Sequence, residues 1–328
     1  MSVLKEKKVL ITGGLGFLGS NLALRLVEMG AQVTLVDNLL PHQGGNLFNI
    51  EPIQTKVDVN ISDIRNQLSM NHLVKDQEFI FHLAGQVNHI DSMRNPFNDL
   101  SINVEGTLSV LEACRHFNPT VKILFSGTRG QYGSTVRLPV SEEHPMHPKG
   151  VYALTNLCAE NLMRVYHEAH HISSICFRIT NTYGPRHQMA HDEYGVVNWF
   201  IRKAMDDEVI PVFGDGRILR DYLFIDDCVE AFIQAMFCEK AYGQVFNIGT
   251  GVPMNFMDLA EKIKRIANSG KVKFTEFTKE RKEVEPGDYY ADISKMKAIV
   301  GWKPKISLEE GLATTIAYYK QYKKQYWS

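Results

Sequence analysis

Near its N-terminus the chain reads "KKVLITGGLGFLGSNLALRLVEMG", and this stretch restricts the fold more than any other. A short apolar run ends in glycines, and apolar residues at helical period follow at once. Gly13, Gly16 and Gly19 stand three apart across that junction. Bare backbone there permits a tight strand-to-helix turn and lets main-chain N–H groups approach a pyrophosphate at the helix N-terminus. Three glycines alone are equally compatible with an ordinary tight turn. The next strand, "AQVTLVDN", supplies the second half of a pattern, because it ends in Asp37, 18 residues past Gly19. That is close to the ~20 expected for an acid that binds a ribose. A carboxylate there accepts hydrogen bonds from a 2′-hydroxyl and repels a 2′-phosphate, so NAD is favoured over NADP.

Further apolar runs at "FIFHLAG", "VKILFSG" and "SSICFRIT" alternate with helical patterns at "NVEGTLSVLEACRHF" and "VYALTNLCAENLMRVYHEAHH". Buried strands alternating with helices predict an α/β fold, a doubly wound parallel sheet of Rossmann type. After Gly184 the regular pattern loosens into the polar loop "PRHQMAHDEYGV", and the chain closes on an amphipathic helix, "SLEEGLATTIAYYKQYKKQYW". The expected organisation is a dinucleotide-binding domain over residues 1–180, joined by a contribution from about 224–250. Residues 181–328 mainly form a smaller substrate-binding domain.

Composition narrows the function classes. A net charge of −1 on 328 residues gives no general attraction to nucleic acid or to an anionic membrane. No apolar run approaches the ~20 residues of a membrane span. The opening residues lack the apolar stretch of a signal peptide. Five cysteines form no close metal or redox pair. A cytoplasmic protein with free thiols is expected. The basic, aromatic "YKKQYW" reads as a solvated helix end.

Taken in order, "TGGLGFLG", "HLAGQV", "FSGTRGQYG", "FRITNTYGPR", "FGDGRILRDYLFIDDCVEA", "FNIGTG" and "GWKPKISLEEGL" resemble segments of the extended short-chain dehydrogenase/reductase family, the NAD-dependent nucleotide-sugar epimerases and dehydratases. The resemblance runs over nearly the whole chain. It implies that Gly13, Gly16, Phe17 and Leu18 cradle the pyrophosphate and that Asp37 and Asn38 hold the adenosine ribose. It sets Asp58 and Val59 beside the adenine, and Leu83, Ala84, Gln86, Ser126 and Ile179 along the cofactor, with Asn103 beneath. By the same resemblance Thr128 donates a hydrogen bond to the sugar and Tyr152 shuttles its proton. Asn181 and Arg220 hold the substrate diphosphate, Phe213 lies near the nucleobase, and Asn198 and Arg281 are further substrate contacts. The family also implies a homodimer.

Three positions depart from the family. Its tyrosine is followed four residues on by lysine, where this chain has Asn156. A free phenol titrates near ~10, so about 0.1% is phenolate at neutral pH, and a nearby cation typically lowers that value by roughly 1–3 units. An amide can hydrogen-bond a ribose hydroxyl but supplies no charge. Altered chemistry, a cation from Lys149, His147 or His187, and a deliberately changed residue all remain open. Second, Arg129 and Gly130 stand where the 4,6-dehydratases carry an acidic pair. The decarboxylases also carry a glutamate at the position of Gly130, so both reactions are disfavoured relative to epimerisation. Third, Glu285 stands where an arginine commonly grips the diphosphate, and Arg281 is a candidate replacement. His187, His191 and Asp192 have a spacing that could hold a metal on a helix. The segment reads instead as a loop covering the substrate, and no metal is expected.

Overall fold

The computed structural model describes residues 4–41 and 43–327. Seven parallel strands form the main sheet: β1 (Lys8–Thr12), β2 (Gln32–Asp37), β3 (Val57–Ile61), β4 (Phe79–His82), β5 (Lys122–Thr128), β6 (Ser173–Ile179) and β10 (Val245–Ile248). Their spatial order is β10-β6-β5-β4-β1-β2-β3. The order reverses direction beside β1, and a crevice opens there at the carboxyl ends of the strands. The remaining strands are β7 (Asn181–Tyr183), β8 (Val209–Phe213), β9 (Leu219–Phe224), β11 (Pro253–Asn255) and β12 (Lys271–Thr275). They make a three-stranded sheet, β11-β9-β7, and a two-stranded one, β12-β8.

The helices are α1 (Phe17–Glu28), α2 (Gln67–Leu73), α3 (His89–Arg94), α4 (Pro96–Leu100), α5 (Gly106–Phe117), α6 (Val151–His170), α7 (Val196–Met205), α8 (Ile225–Met236), α9 (Phe256–Ala267), α10 (Lys279–Val284), α11 (Ser294–Val300) and α12 (Leu308–Tyr322). A strand sends successive side chains to opposite faces, and here each face has its own core. Val9 and Ile11 of β1 pack with Leu22 and Leu26 of α1 and with Phe232 of α8. Leu10 between them packs on the other side with Met70 of α2, Val110 and Leu111 of α5 and Met163 of α6. This double burial explains why the strands read as continuous apolar runs rather than as alternation.

β10, from the second half of the chain, pairs with β6 and completes the sheet. Between α4 and α5 the backbone relaxes into a π-helical turn, Ser101–Glu105, which carries Asn103. No described helix is long and apolar enough to cross a membrane.

Candidate active site

A cavity of about 460 Å³ runs along the carboxyl ends of the strands and beneath the loop that precedes α7. Its size lies within the ~300–1,000 Å³ typical of small-molecule sites. At one end is the glycine turn. Gly13 has φ +70°, and a Cβ there would meet Ala84 Cα at 2.9 Å; one on Gly19 would lie 2.2 Å from the Gly13 carbonyl oxygen. Gly16 caps α1 without any side-chain hydrogen bond, so the helix presents bare N–H groups. Asp37 closes β2 beside this turn. Its Oδ2 accepts from the Leu15 N–H at 3.1 Å and its Oδ1 from the Leu39 N–H at 2.9 Å. The Asn38 N–H also acts on this carboxylate, which still keeps acceptor capacity for a ligand. Burial raises the Asp37 pKa, opposed by those N–H groups. A glycine-rich turn, an open helix N-terminus and a carboxylate in one cavity fit a dinucleotide.

The wall continues through Leu83, Ala84 and Gln86, and through Ser126 and Ile179. Asn103 holds this wall in place. Its Oδ1 accepts from the Gln86 N–H at 2.8 Å, and its amide donates to the Gln86 carbonyl at 3.2 Å and to Asp99 at 3.3 Å. Thr155 also donates to Asp99, tying α6 to α4.

At the centre, Tyr152 at the start of α6 meets Thr128 at the end of β5. The Thr128 hydroxyl acts on the phenol in the direction that favours phenolate. Burial outweighs it, and the Tyr152 pKa is pushed up to about 12. The ring of His89 meets the Tyr152 ring edge-on with centroids 4.5 Å apart. Burial and the nearby charge of Arg129 draw His89 down to about 4, so it is neutral at pH 7. Thr128 is itself fixed: it caps the turn Arg129–Tyr132, and its N–H donates to Gln131 Oε1 at 2.9 Å. Gln131 in turn donates to Glu160, the partner of Arg178 in a buried ion pair.

Beyond Tyr152 lie Asn181, Arg220, Phe213 and Arg281, all lining the cavity. Arg220 is almost wholly buried and paired with Glu285, and it donates to the Gly287 carbonyl at 2.6 Å. The guanidinium of Arg281 lies 4.7 Å from the Phe213 ring and pairs with Asp192 at 2.6 Å. His187, Gln188, Asp192, Glu193 and Tyr194, all from the polar loop, line the same space.

Two sets of expected site residues lie elsewhere. Asp58 and Val59 sit on the exposed edge strand β3, outside the cavity; Ser62 and Ile64, just past the strand end, line it instead. The intervening Asp63 accepts from the Asn38 amide at 2.9 Å. The sequence carries two similar signals five residues apart, "VDV" and "SDI", and only the second emerges at the carboxyl edge. Asn198 is also buried away from the cavity. Its amide donates to the Gly184 carbonyl at 2.8 Å and its Oδ1 accepts from the Gly184 N–H at 3.3 Å, which fixes the turn after β7.

None of the three suggested substitutes for the missing lysine puts a charge on Tyr152. His187 is drawn by burial to about 4 and bonds the Gln188 carbonyl at 2.7 Å. His147 is exposed and outside the cavity. Lys149 is exposed and donates to the Glu285 carbonyl at 3.1 Å. The cation that acts on the phenol is Arg129. Among the described residues, no group of three His, Cys, Asp or Glu side chains converges as metal ligands would. His89 and Arg129 are the central residues to which sequence reading gave no role at this site. The arginine was visible as a departure, whereas the histidine carried no motif.

Comparison with known proteins agrees with this geometry. The family model described as GDP-mannose 4,6 dehydratase matches residues 10–315. A protein from Methanocaldococcus jannaschii described as a putative UDP-glucose 4-epimerase is 34% identical over 314 residues, covering 95% of this chain and 98% of its own. The crystal structure of a UDP-glucose 4-epimerase from Thermotoga maritima with UDP-glucose superposes with a TM-score of 0.88 at 33% identity, covering 96% of this chain and 99% of that one. A UDP-glucose 4-epimerase from Thermus thermophilus, solved with NAD, has a TM-score of 0.85 at 26% identity, covering 95% and 99%. With its glycine turn, the Asp37 carboxylate and the tyrosine–threonine pair on this scaffold, the chain belongs to the extended short-chain dehydrogenase/reductase family, as an enzyme of the NAD-dependent nucleotide-sugar epimerase/dehydratase group.

Proposed function

We propose that the chain is an NAD-dependent nucleotide-sugar epimerase working through a transient keto-sugar. One observation carries the choice of reaction: Tyr152 and Thr128 meet at the middle of the cavity, and the residues after Thr128 are Arg129 and Gly130, neither an acid. Dehydration and decarboxylation need additional proton management that an acid at those positions would supply. Epimerisation needs one group that takes a hydroxyl proton and returns it.

In this reading Gly13, Gly16, Phe17 and Leu18 hold the pyrophosphate of NAD, and Asp37 with Asn38 holds its adenosine ribose. Ser62 and Ile64 lie by the adenine, and Leu83, Ala84, Gln86, Ser126 and Ile179 line the nicotinamide half, supported by Asn103. Bound NAD supplies reversible hydride acceptance, which is regenerated in each cycle. Thr128 hydrogen-bonds the reacting sugar oxygen, and Tyr152 accepts its proton and returns it. Asn181, Arg220 and Phe213 bind the nucleotide portion, and the loop carrying His187 to Tyr194 covers the sugar and limits access of water. The substrate is a nucleotide hexose, with the ring carbon at C4 the simplest site of inversion.

A second reading, an NAD-binding protein with much-weakened turnover, is favoured by the raised Tyr152 pKa and the missing lysine. Incubation with a panel of nucleotide hexoses separates the two. An epimerase returns the inverted sugar with NAD unchanged, and Tyr152→Phe lowers its rate by ~10²- to 10⁴-fold. Net NADH, a dehydrated product, or a rate indifferent to Tyr152→Phe would overturn the proposal. The same reading includes a homodimer, supported by the exposed Leu108 of α5 and Leu154 and Val165 of α6. Sedimentation equilibrium at monomer mass would remove that part of it.

A further inference from the structure

Three arginines line the cavity, and two of them already hold carboxylates: Arg220 pairs with Glu285 and Arg281 with Asp192. Arg129 does not. Its Nε donates to Asn181 Oδ1 at 3.1 Å, and its guanidinium lies 5.2 Å from the ring centre of Tyr289. A side-chain acceptor and an aromatic neighbour fix the plane of the fork. Among the described residues its terminal nitrogens bond no acceptor and no carboxylate lies within ion-pair distance, yet neither nitrogen is sealed from the cavity. Burial, with Arg220 nearby, lowers its pKa to about 10, so it remains charged at neutral pH. A half-buried, oriented guanidinium whose nearby carboxylate, Glu285, is already paired with Arg220 is suited to a planar anion with two oxygens.

Its place in the chain says which part of a ligand it meets. Arg129 directly follows Thr128, and its charge acts on both the Tyr152 phenol and His89, so it lies at the reacting end of the cleft. Meanwhile Glu285 pairs with Arg220 and so competes with a diphosphate for that guanidinium. The bond from Arg129 to Asn181 places the fork between the reacting end and the residues assigned to the diphosphate.

We propose that Arg129 forms an anion-recognition subsite beside the reacting carbon, holding a carboxylate or phosphate group of the substrate on its guanidinium fork. The proposal rests on the nucleotide-sugar reading above. Two sources fit: the carboxylate of a nucleotide sugar acid, or a diphosphate drawn towards the sugar end.

The test is calorimetric titration of the NAD-saturated full chain and its Arg129→Gln and Arg129→Lys variants. The probes are UDP, dTDP, CDP and GDP, together with UDP-glucose and UDP-glucuronate. Arg129→Gln is expected to weaken binding about tenfold or more. A loss confined to UDP-glucuronate assigns the subsite to a sugar carboxylate. An equal loss for the bare diphosphates and UDP-glucose assigns it to the diphosphate. Arg129→Lys keeps the charge without the fork and is expected to lose roughly three- to tenfold, which carries the test if the glutamine variant does not fold. Dissociation constants within twofold of the unaltered protein for every ligand it binds overturn the proposal alone. Failure of the unaltered protein to bind any of the six overturns the proposed function and this inference with it.

Discussion

The side-chain amide of Asn156 donates to the main-chain carbonyl of Tyr152 at 2.9 Å. The residue in the lysine position thus turns back onto its own helix, one turn below the phenol, and adds no positive charge to the site. Asn156 is nearly buried, so this bond satisfies a polar group with little access to water. The phenol, left with Thr128 and the influence of Arg129, stands at about 12.

Restoring the cation is the direct test of that relationship. In the proposed mechanism the phenolate is the proton acceptor, and its fraction grows with pH up to the tyrosine pKa. Activity should therefore climb through the alkaline range in the unaltered protein. Asn156→Lys should lower the tyrosine pKa by roughly 1–3 units and raise turnover near pH 7 by ~10- to 1,000-fold. The pH–rate profile checks it: the rising limb moves to lower pH if the phenol lacks a cation, and an unmoved limb sinks the account.

Asp37 governs the choice of cofactor in this reading. Asp37→Asn removes the charge that repels a 2′-phosphate and weakens a charge-assisted hydrogen bond to the ribose. NAD affinity should fall by ~10- to 100-fold, while NADP should lose less or gain. Burial raises the Asp37 pKa, so in the unaltered protein NAD affinity should also fall on acidification, at a pH above that of an ordinary carboxylate. Fluorescence titration with both cofactors over pH measures both effects.

How far the sequence revealed this site depended on whether a signal was local. The glycine turn, Asp37, Thr128 and Tyr152 each lie at a strand end or helix start, where a few neighbouring residues dictate the geometry, and the structure brings all of them to one cavity. The polar loop after Gly184 was likewise visible from its loss of periodicity. Asp58 and Val59 were misplaced because an edge strand has no second neighbour to define its end, so two similar dipeptides compete. Asn198 failed for another reason. It lies 14 residues from Gly184, and only the folded turn shows that both ends of its amide bond that one residue. Contacts such as Arg220 with Glu285, 65 residues apart, belong to tertiary structure and leave no periodic trace.

The buried pair of Arg178 and Glu160 supports Thr128 from behind. Arg178 Nη2 lies 2.6 Å from Glu160 Oε1, and both side chains are 8% exposed. Glu160→Gln would leave a buried guanidinium without its counter-charge, destabilising the fold by about 3–5 kcal/mol. The bond from Gln131 to Glu160 would weaken with it, loosening the turn that Thr128 caps. Urea denaturation should show a lower midpoint at unchanged slope. A Glu160→Gln/Arg178→Met double variant should recover part of the loss, because no buried charge then remains unpaired. Additive losses would mean that the pair is not coupled.

Glu285 makes the opposite trade between stability and binding. Its carboxylate neutralises Arg220, whose side chain is 2% exposed, while its own is 21% exposed and partly screened. Glu285→Gln should therefore destabilise the ligand-free protein by about 1–3 kcal/mol, less than a fully buried pair, because water reaches one partner. The same change removes a negative charge from beside the proposed diphosphate position and frees the Arg220 fork. A bare nucleoside diphosphate should then bind ~10-fold tighter, equivalent to about 1.4 kcal/mol, even as the melting temperature falls. Calorimetric titration and thermal melting of the same preparation read both signs. Tighter binding with lower stability would identify Glu285 as a residue that tunes the anion site, whereas a drop in both would mean that the diphosphate never meets Arg220.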